Sequence, residues 1–473
     1  MYERMHILTE TDITTIHNAT MSILSDIGVN FYEPEALDIF KQHGFKVDGQ
    51  TVHLEEKDVE AALAAAPGEF TVRARHPDKS VVIGGDQLVI APGYGATAMI
   101  TADRTLRSAR MADYDNFCRL VQTSKSIDMN GCLMVEPSDR VPRFAHLDML
   151  QSNIVLCDKP FLGSTMTRQA AVDSIEMAAI AFGGKSAIQN DPVMIAIIST
   201  LSPLQYSAEM AASVIEYARC GQPCMIGLLM MAGTTGPVTL PGLLALQNAE
   251  ILAGIALSQL VNPGTPVIYG STSTVTNMRT GGLSIGAPEL SMIQNATVQM
   301  GKYYGLPCRG SGGVTDAHYP DMQAGIESTL ALSTTIMSGA NFILHACGIL
   351  SAYLAMSCEK FLADEEICSI LRRMLKPIDV TEERIELDVI KAVGIGKEYL
   401  THPKTLAYCR TEFYLTDLMS QDDYATWSAK GQQLLHERLP AVFEKRMNQY
   451  APPDIDPGIA SDLKRYVKAH CGQ

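Results

Sequence analysis

The sequence predicts an α/β protein: a (β/α)8 barrel over residues 88–350, an N-terminal helical cap with short strands over 1–87, and a helical C-terminal region over 351–473. Two observations carry this reading. Eight short, nearly continuous apolar runs follow one another, each ending in Gly, Ser or Pro and leading into a helical segment, as strands buried on both faces and joined by helices do. Their starts run from residue 88 to residue 342, and this span matches the roughly 250 residues of an eightfold barrel. The length of 473 residues and an apolar share of 47% allow a core of that size.

The elements follow in order. Thr9 and Asp12 have capping-box spacing ahead of Ile13, Ile16, Thr20, Ile23, Leu24 and Ile27, which recur at helical spacing until Gly28 stops the run. A second helix is expected from Pro34 to Gly44 and a third from Glu55 to Pro67-Gly68, then short strands in Phe70–Arg75 and Val81–Ile83. The eight apolar runs are Leu88–Ala91, Asp128–Val135, Phe161–Ser164, Val193–Ser199, Cys224–Met231, Pro266–Tyr269, Pro307–Gly310 and Phe342–Ala346. An open doubly wound sheet is the competing arrangement. It normally opens on a Gly-rich phosphate turn, whereas Gly93-Tyr94-Gly95 lacks the rest of GxGxxG. Beyond Leu350 helices are expected in 362–375, 381–393 and 402–418, with a last one before Pro452-Pro453.

Charge and composition narrow the function. With 37 Lys and Arg against 52 Asp and Glu the net charge is −15, which opposes nucleic acid and anionic membranes as partners. The opening residues 1–10 have no apolar signal core, and Leu243–Val261 is broken by Gln247, Asn248, Glu250 and Gln259, so a cytoplasmic chain that spans no membrane is expected. The 11 cysteines form no CxxC and read as reduced core thiols. HExxH, GxSxG and Walker A sequences are missing, and His345-Ala346-Cys347 lacks the partners of a zinc site.

In parallel β/α barrels the working residues stand where strands run into their following loops. Those positions hold Tyr94, Glu136, Thr165, Ser199, Tyr206, Tyr269, Ser271, Arg279, Arg309, Asp316, His318, His345 and Tyr353. Three loops are rich in glycine: Gly233–Pro237, Met278–Gly282 and Arg309–Gly313. They either turn tightly or let the backbone approach a broad flat cofactor.

The segments GCLMVEPSD (131–139), STLSPLQYS (199–207), GTTGPVTLPG (233–242), GTPVIYGSTS (264–273), RGSGGVTDAHYPDMQAG (309–325) and LADEE (362–366) together resemble the trimethylamine methyltransferase superfamily over nearly the whole chain. The resemblance implies a barrel enzyme that moves a methyl group from an amine nitrogen to the cobalt of a corrinoid, cob(I)alamin, carried on a separate cognate protein. The methylamine-using founders contain pyrrolysine and this chain has ordinary residues throughout, so the non-pyrrolysine branch is expected. That branch uses quaternary amines: glycine betaine or proline betaine first, carnitine or γ-butyrobetaine as the alternative. A non-catalytic betaine-binding or regulatory barrel is the competing class.

A quaternary nitrogen leaves as a neutral amine, so no protein nucleophile is required and the protein supplies binding and orientation. Under the resemblance, Asp316 and His318 are candidate positioning residues. A quaternary ammonium offers no N–H donor and suits aromatic faces, for which Tyr94, Tyr206, Tyr269, Tyr353 and Phe361 are candidates, with Asp316, Glu327 or Glu359 as a charge. Arg309, Arg279 or His345 would take a substrate carboxylate; alternatively Arg279 is a solvated loop charge and Arg309 a structural partner of Asp316. Gly233, Arg279, Gly281, Gly312 and Gly313 are the candidate corrinoid-facing positions. A homo-oligomer is expected.

Overall fold

The computed structural model describes residues 4–471. Seven of the eight apolar runs form strands: β1 (Val89–Ile90), β2 (Phe161–Gly163), β3 (Met194–Ile198), β4 (Cys224–Leu228), β5 (Val267–Ser271), β6 (Cys308–Ser311) and β7 (Phe342–Leu344). They make one parallel sheet in the order β1-β7-β6-β5-β4-β3-β2. Almost every strand residue is buried, because helices cover the outer face and side chains fill the inner one.

The run 128–135 is the exception to the expected strands. Its Asn130-Gly131 pair breaks the ladder: the Gly131 carbonyl accepts from the Asn153 amide (2.5 Å) and the Tyr114 hydroxyl (3.2 Å) in place of a neighbouring strand. Only its first residues reach the sheet, and they reach both edges. Asp128 N–H donates to Ile90 O on β1 (2.8 Å), and Leu162 N–H on β2 donates to Asn130 O (3.2 Å).

The N-terminal elements follow the pattern in the sequence. Helix Glu10–Ser22 starts in a capping box of Thr9 and Asp12, and after a π-turn over Ile23–Ile27 it stops at Gly28, whose φ of +80° suits a residue without Cβ. Helices Pro34–Gln42 and Glu56–Ala65 follow, and all three pack on the long helix Leu240–Val261. Among the described residues this is the one helix long and apolar enough to cross a membrane, and it lies mostly buried beneath the N-terminal helices. The N-terminal sheet also borrows Gln205–Tyr206, which pairs with Val29–Phe31 in parallel.

The C-terminal region is helical, with one element beyond expectation. Past Pro452-Pro453 a further helix, Pro457–His470, opens on an Asp456 cap with Pro457 in its first turn. It packs back on helices Ala145–Leu156 and Arg168–Phe182. All 11 cysteines are free, and nine are buried.

Candidate active site

The site is built at the carboxyl ends of β5, β6 and β7. Register places Gly227 opposite Gly270 and Gly270 opposite Arg309, so the three positions share one face of the sheet. Two of them carry no side chain, and the third carries a long one. The Arg309 guanidinium crosses this gap, with Nη1 3.6 Å from where a Cβ on Gly227 would stand.

Arg309 is 1% exposed and has no ion-pair partner among the described residues. Its Nη2 donates to His345 Nδ1 (3.1 Å), and its buried Nε has no partner. A guanidinium only donates, so His345 Nδ1 is the acceptor and the ring proton sits on Nε2. Burial, and then the Arg309 charge, push the imidazole well below its usual range, while a hydrogen bond with the Tyr94 backbone opposes that shift. His345 is therefore neutral at pH 7. Burial also pushes Arg309 down to about 10, which leaves it charged.

Two further rings flank His345. The His345 and Tyr353 centroids are 4.7 Å apart, and Tyr94 meets His345 edge-on at 6.4 Å. The Tyr353 hydroxyl hydrogen-bonds Thr272 Oγ1 (2.6 Å) beyond β5 and lies 3.5 Å from Ser311 Oγ on β6. His345 (φ +62°) and the run Ser351, Ala352 and Tyr353 (φ +52°, +53° and +71°) all hold left-handed backbone. Such residues cost on the order of 1–3 kcal/mol each and persist where the surroundings over-determine them. Here His345 N–H donates to Pro92 O, Ser351 N–H to Ala317 O and Ala352 N–H to Thr315 O.

Of the positions expected from sequence, the structure brings together Arg309, His345, Tyr94 and Tyr353. Thr165 joins them through a side-chain hydrogen bond with Tyr94, whereas the other aromatic, carboxylate and histidine candidates lie elsewhere. Tyr206 is fully buried, stacks on Phe31 at 4.8 Å and donates to Glu250 O (2.7 Å). Tyr269 is fully buried and donates to Asn248 Oδ1 (2.9 Å) on the long helix. Phe361 packs on Phe117 in the core. Glu359 is buried and accepts from Ser357 Oγ (2.8 Å), a helix-start contact.

Asp316 does not pair with Arg309. It accepts from Ser284 Oγ and Ile285 N–H (both 2.9 Å), tying the loop after β6 to the loop after β5. Glu327 secures the same loop through Thr315 Oγ1 and Asp316 N–H. His318 is exposed, with Nδ1 2.8 Å from Ser351 Oγ, and so touches the segment that carries Tyr353 but not the ring cluster.

The glycine loops separate into two kinds. Gly312 and Gly313 are buried, and a Cβ on either would come within 2.4 Å of the Ala346 backbone, so both serve the close approach of the two segments and neither lies at the surface. The other two loops meet at the surface, where Met231–Ala232 pairs with Thr274–Thr276 and Thr234 Oγ1 lies 3.0 Å from Thr276 Oγ1. Gly281 (φ +74°) has open space beside it, and Gly233 (φ +93°) faces Met278. Arg279 is exposed there, next to exposed Met278 and near Val238.

Sequence reasoning missed Gly227, Gly270, Thr272 and Ser311 as site positions. The GTPVIYGSTS segment is the one signal that pointed towards Gly270 and Thr272. A separate apolar groove of about 720 Å³ runs between helices Met322–Met337 and Cys358–Leu375 and touches none of the ring cluster. Among the described residues no three His, Cys, Asp or Glu side chains stand together as a metal-holding group. Burial raises the thiols of Cys132, Cys224 and Cys308 to about 12, so none is a thiolate at neutral pH.

Comparison with known proteins agrees with this layout. The family described as trimethylamine methyltransferase (MTTB) matches residues 1–471. A glycine betaine methyltransferase of Desulfitobacterium hafniense is 44% identical over 98% of this chain and 97% of its own. A proline betaine:corrinoid methyltransferase of Eubacterium limosum is 34% identical over 96% of each chain. A trimethylamine methyltransferase of Methanosarcina barkeri is 29% identical over 98% of this chain and 94% of its own. Among solved structures, the monomethylamine methyltransferase of Methanosarcina barkeri shares the fold, with a TM-score of 0.57 at 11% identity over 98% of this chain and 89% of that one.

Proposed function

From the premise that the chain belongs to the trimethylamine methyltransferase family, we propose that it is a methyltransferase that takes a methyl group from a quaternary amine, glycine betaine before proline betaine, and passes it to the corrinoid of a separate protein. The observation that carries this reading is the ring cluster at the strand ends: Tyr94 and Tyr353 against a neutral His345 that holds the buried Arg309, with no ionised nucleophile beside them among the described residues. The greater identity to the glycine betaine enzyme than to the proline betaine and trimethylamine enzymes supports the order of substrates.

The corrinoid in its Co(I) form supplies the nucleophile. The residues of this chain bind and orient the amine. The faces of Tyr94 and Tyr353 suit the trimethylammonium group, which attracts ring quadrupoles and offers no hydrogen bond. Thr272 and Ser311 fix the Tyr353 ring, and neutral His345 adds a third ring without a competing positive charge. Charge is neutralised as the amine departs, so a partly dry site favours the reaction and no acid is required. Asp316 acts as a positioning residue by joining two of the loops that frame the site, and His318 supports the Tyr353 segment through Ser351.

The outer glycine loops fit a flat acceptor. Gly233, Arg279 and Gly281 lie beside the exposed apolar side chains of Val238 and Met278, and the open space at Gly281 leaves backbone free to be covered. Gly312 and Gly313 do not fit that role. Residues 128–130, bonded to both edges of the seven-stranded sheet, support a closed eightfold barrel. We infer a cytoplasmic homo-oligomer around it.

The test is an anaerobic assay that follows the absorbance of cob(I)alamin on addition of glycine betaine, proline betaine, carnitine, γ-butyrobetaine or trimethylamine. Loss of the Co(I) spectrum with glycine betaine is expected. Reaction with trimethylamine alone would refute the substrate reading. No reaction with any amine, free cobalamin or cognate corrinoid protein would refute the enzyme.

A further inference from the structure

We infer that the Arg309–His345 pair is a carboxylate lock, which makes the site select zwitterionic quaternary amines and reject quaternary amines that lack a carboxylate. The inference rests on the proposed quaternary-amine reading and adds the feature of the molecule that the site recognises.

Arg309 lacks a partner for its charge. Buried cations are normally paired, because removing a charge from water is costly unless another charge and hydrogen bonds replace the solvent. The chain's other buried cations replace the solvent in one of two ways: Lys360 is ion-paired to Asp364 and donates to Ser328 Oγ (2.9 Å) and to Gly313 O (3.2 Å), and Lys159, without an ion pair, gives its ammonium to Ser124 O (2.7 Å) and Ile127 O (2.5 Å). Arg309 does neither, with one hydrogen bond, to a neutral imidazole, no carbonyl and an orphaned Nε. An anion that arrives with the substrate completes the pair.

The surroundings are shaped for that anion. Gly227 and Gly270 keep two neighbouring strands bare on the face the guanidinium crosses. His345 takes one Nη2 proton and thereby fixes the plane of the guanidinium, leaving the second Nη2 proton, together with the Nε–H or an Nη1 proton on the same edge, as the donor pair for a carboxylate. In a betaine the carboxylate and the quaternary nitrogen are close neighbours, and the rings of His345 and Tyr353 stand next to the fork. Arg279, the alternative donor, lies exposed on an outer loop whose Arg279 N–H bonds Asn277 Oδ1 (3.0 Å). Asp316 is engaged by Ser284 and Ile285.

The experiment measures binding by titration calorimetry on the full chain without corrinoid, using glycine betaine, its methyl ester, choline and tetramethylammonium. The wild type should bind glycine betaine at least about 100-fold more tightly than the three cations, since a site built for a polar group rejects analogues that lack it. Arg309→Gln should lose about 100-fold or more for glycine betaine and keep or improve its affinity for tetramethylammonium. Arg309→Lys, which retains charge but not the fork, should fall between them. A loss of betaine affinity in Arg279→Ala with wild-type affinity in Arg309→Gln would move the carboxylate to the outer loop and overturn the lock.

Equal losses for betaine and tetramethylammonium in a folded Arg309→Gln protein, or wild-type betaine affinity in both Arg309 variants, would overturn the lock. The two readings fail separately. Betaine binding that depends on Arg309 without loss of the Co(I) spectrum would remove the reaction and leave the lock. Methyl transfer from choline as fast as from glycine betaine would remove the lock and leave the reaction.

Discussion

Alanine substitutions at Gly227 and Gly270 separate the stability of the sheet from the shape of the site. The glycines are paired in register and chemically identical, yet their surroundings differ. A Cβ on Gly270 would lie 2.5 Å from Arg309 O and 2.7 Å from Arg309 Cβ, both inside van der Waals contact and both on the neighbouring strand. A Cβ on Gly227 would lie 3.6 Å from Arg309 Nη1, an ordinary contact with a movable group.

Overpacking costs roughly 1–3 kcal/mol, and a clash with backbone belongs at or above the upper end. Gly→Ala without strain instead gains about 0.4–1 kcal/mol through the unfolded chain. An unfolding entropy of about 2.1 cal/mol/K per residue gives about 1 kcal/mol/K over 473 residues. Gly270→Ala should therefore lower Tm by about 3 °C or more, and Gly227→Ala should leave it level or raise it by up to about 1 °C. Differential scanning calorimetry at one scan rate measures both. Calorimetric titration should show weaker glycine betaine binding in both, since each new methyl group intrudes on the face that Arg309 crosses. Equal changes in Tm would refute the close approach of β5 and β6, and undiminished binding in Gly227→Ala would refute the placement of the guanidinium.

Three further outcomes follow from buried charges. Asp364 is raised to about 6 by burial, so its folded value lies above its unfolded one; the stability it adds is present below about 3.8 and lost as pH rises through about 6. A Lys360→Met/Asp364→Leu double variant should thus match or exceed the wild type at pH 7.5, by up to about 4 kcal/mol, with a smaller advantage at pH 5, while Lys360→Met alone loses roughly 3–5 kcal/mol; thermal melts at both pH values check this. Glu250→Ala strands Thr200 Oγ1, Ser202 Oγ and the Leu204 N–H, and should cost about 1–3 kcal/mol for each donor left buried, read as a lower midpoint in urea. His345 is depressed and Arg309 stands at about 10, so betaine affinity should stay flat from pH 6.5 to 8.5 and fall only as pH approaches about 10, as titrations across that range would show.

The strands were legible because they are buried on both faces, which leaves continuous apolar runs that polar loops interrupt. The same signal misled at 128–135. That run is apolar because it is buried, but Asn130-Gly131 diverts its carbonyls to Asn153 and Tyr114, and burial alone does not distinguish a strand from a packed irregular segment. The helix Pro457–His470 was missed for a different reason. Pro452-Pro453 reads as a stop, whereas the cap that restarts the chain, Asp456 before Pro457, is a two-residue signal.

At the site, strand ends identified Arg309, His345, Tyr94 and Tyr353 because parallel α/β sheets place side chains there irrespective of chemistry. They equally offered Tyr206 and Tyr269, and the alternation that decides which face each occupies is invisible in runs apolar on both faces. Register resolves it. Tyr269 and Gly270 are neighbours on β5 and point to opposite sides, so the tyrosine with the more conspicuous chemistry joins the helix layer through Asn248 and the glycine makes room for Arg309. The pairing of Arg309 with His345 across β6 and β7 likewise depends on a register that no local motif encodes. What singles out Arg309 as the candidate is a buried guanidinium with one neutral partner, an orphaned Nε and no carboxylate, and that absence becomes visible only once the neighbours of a buried charge have been assigned.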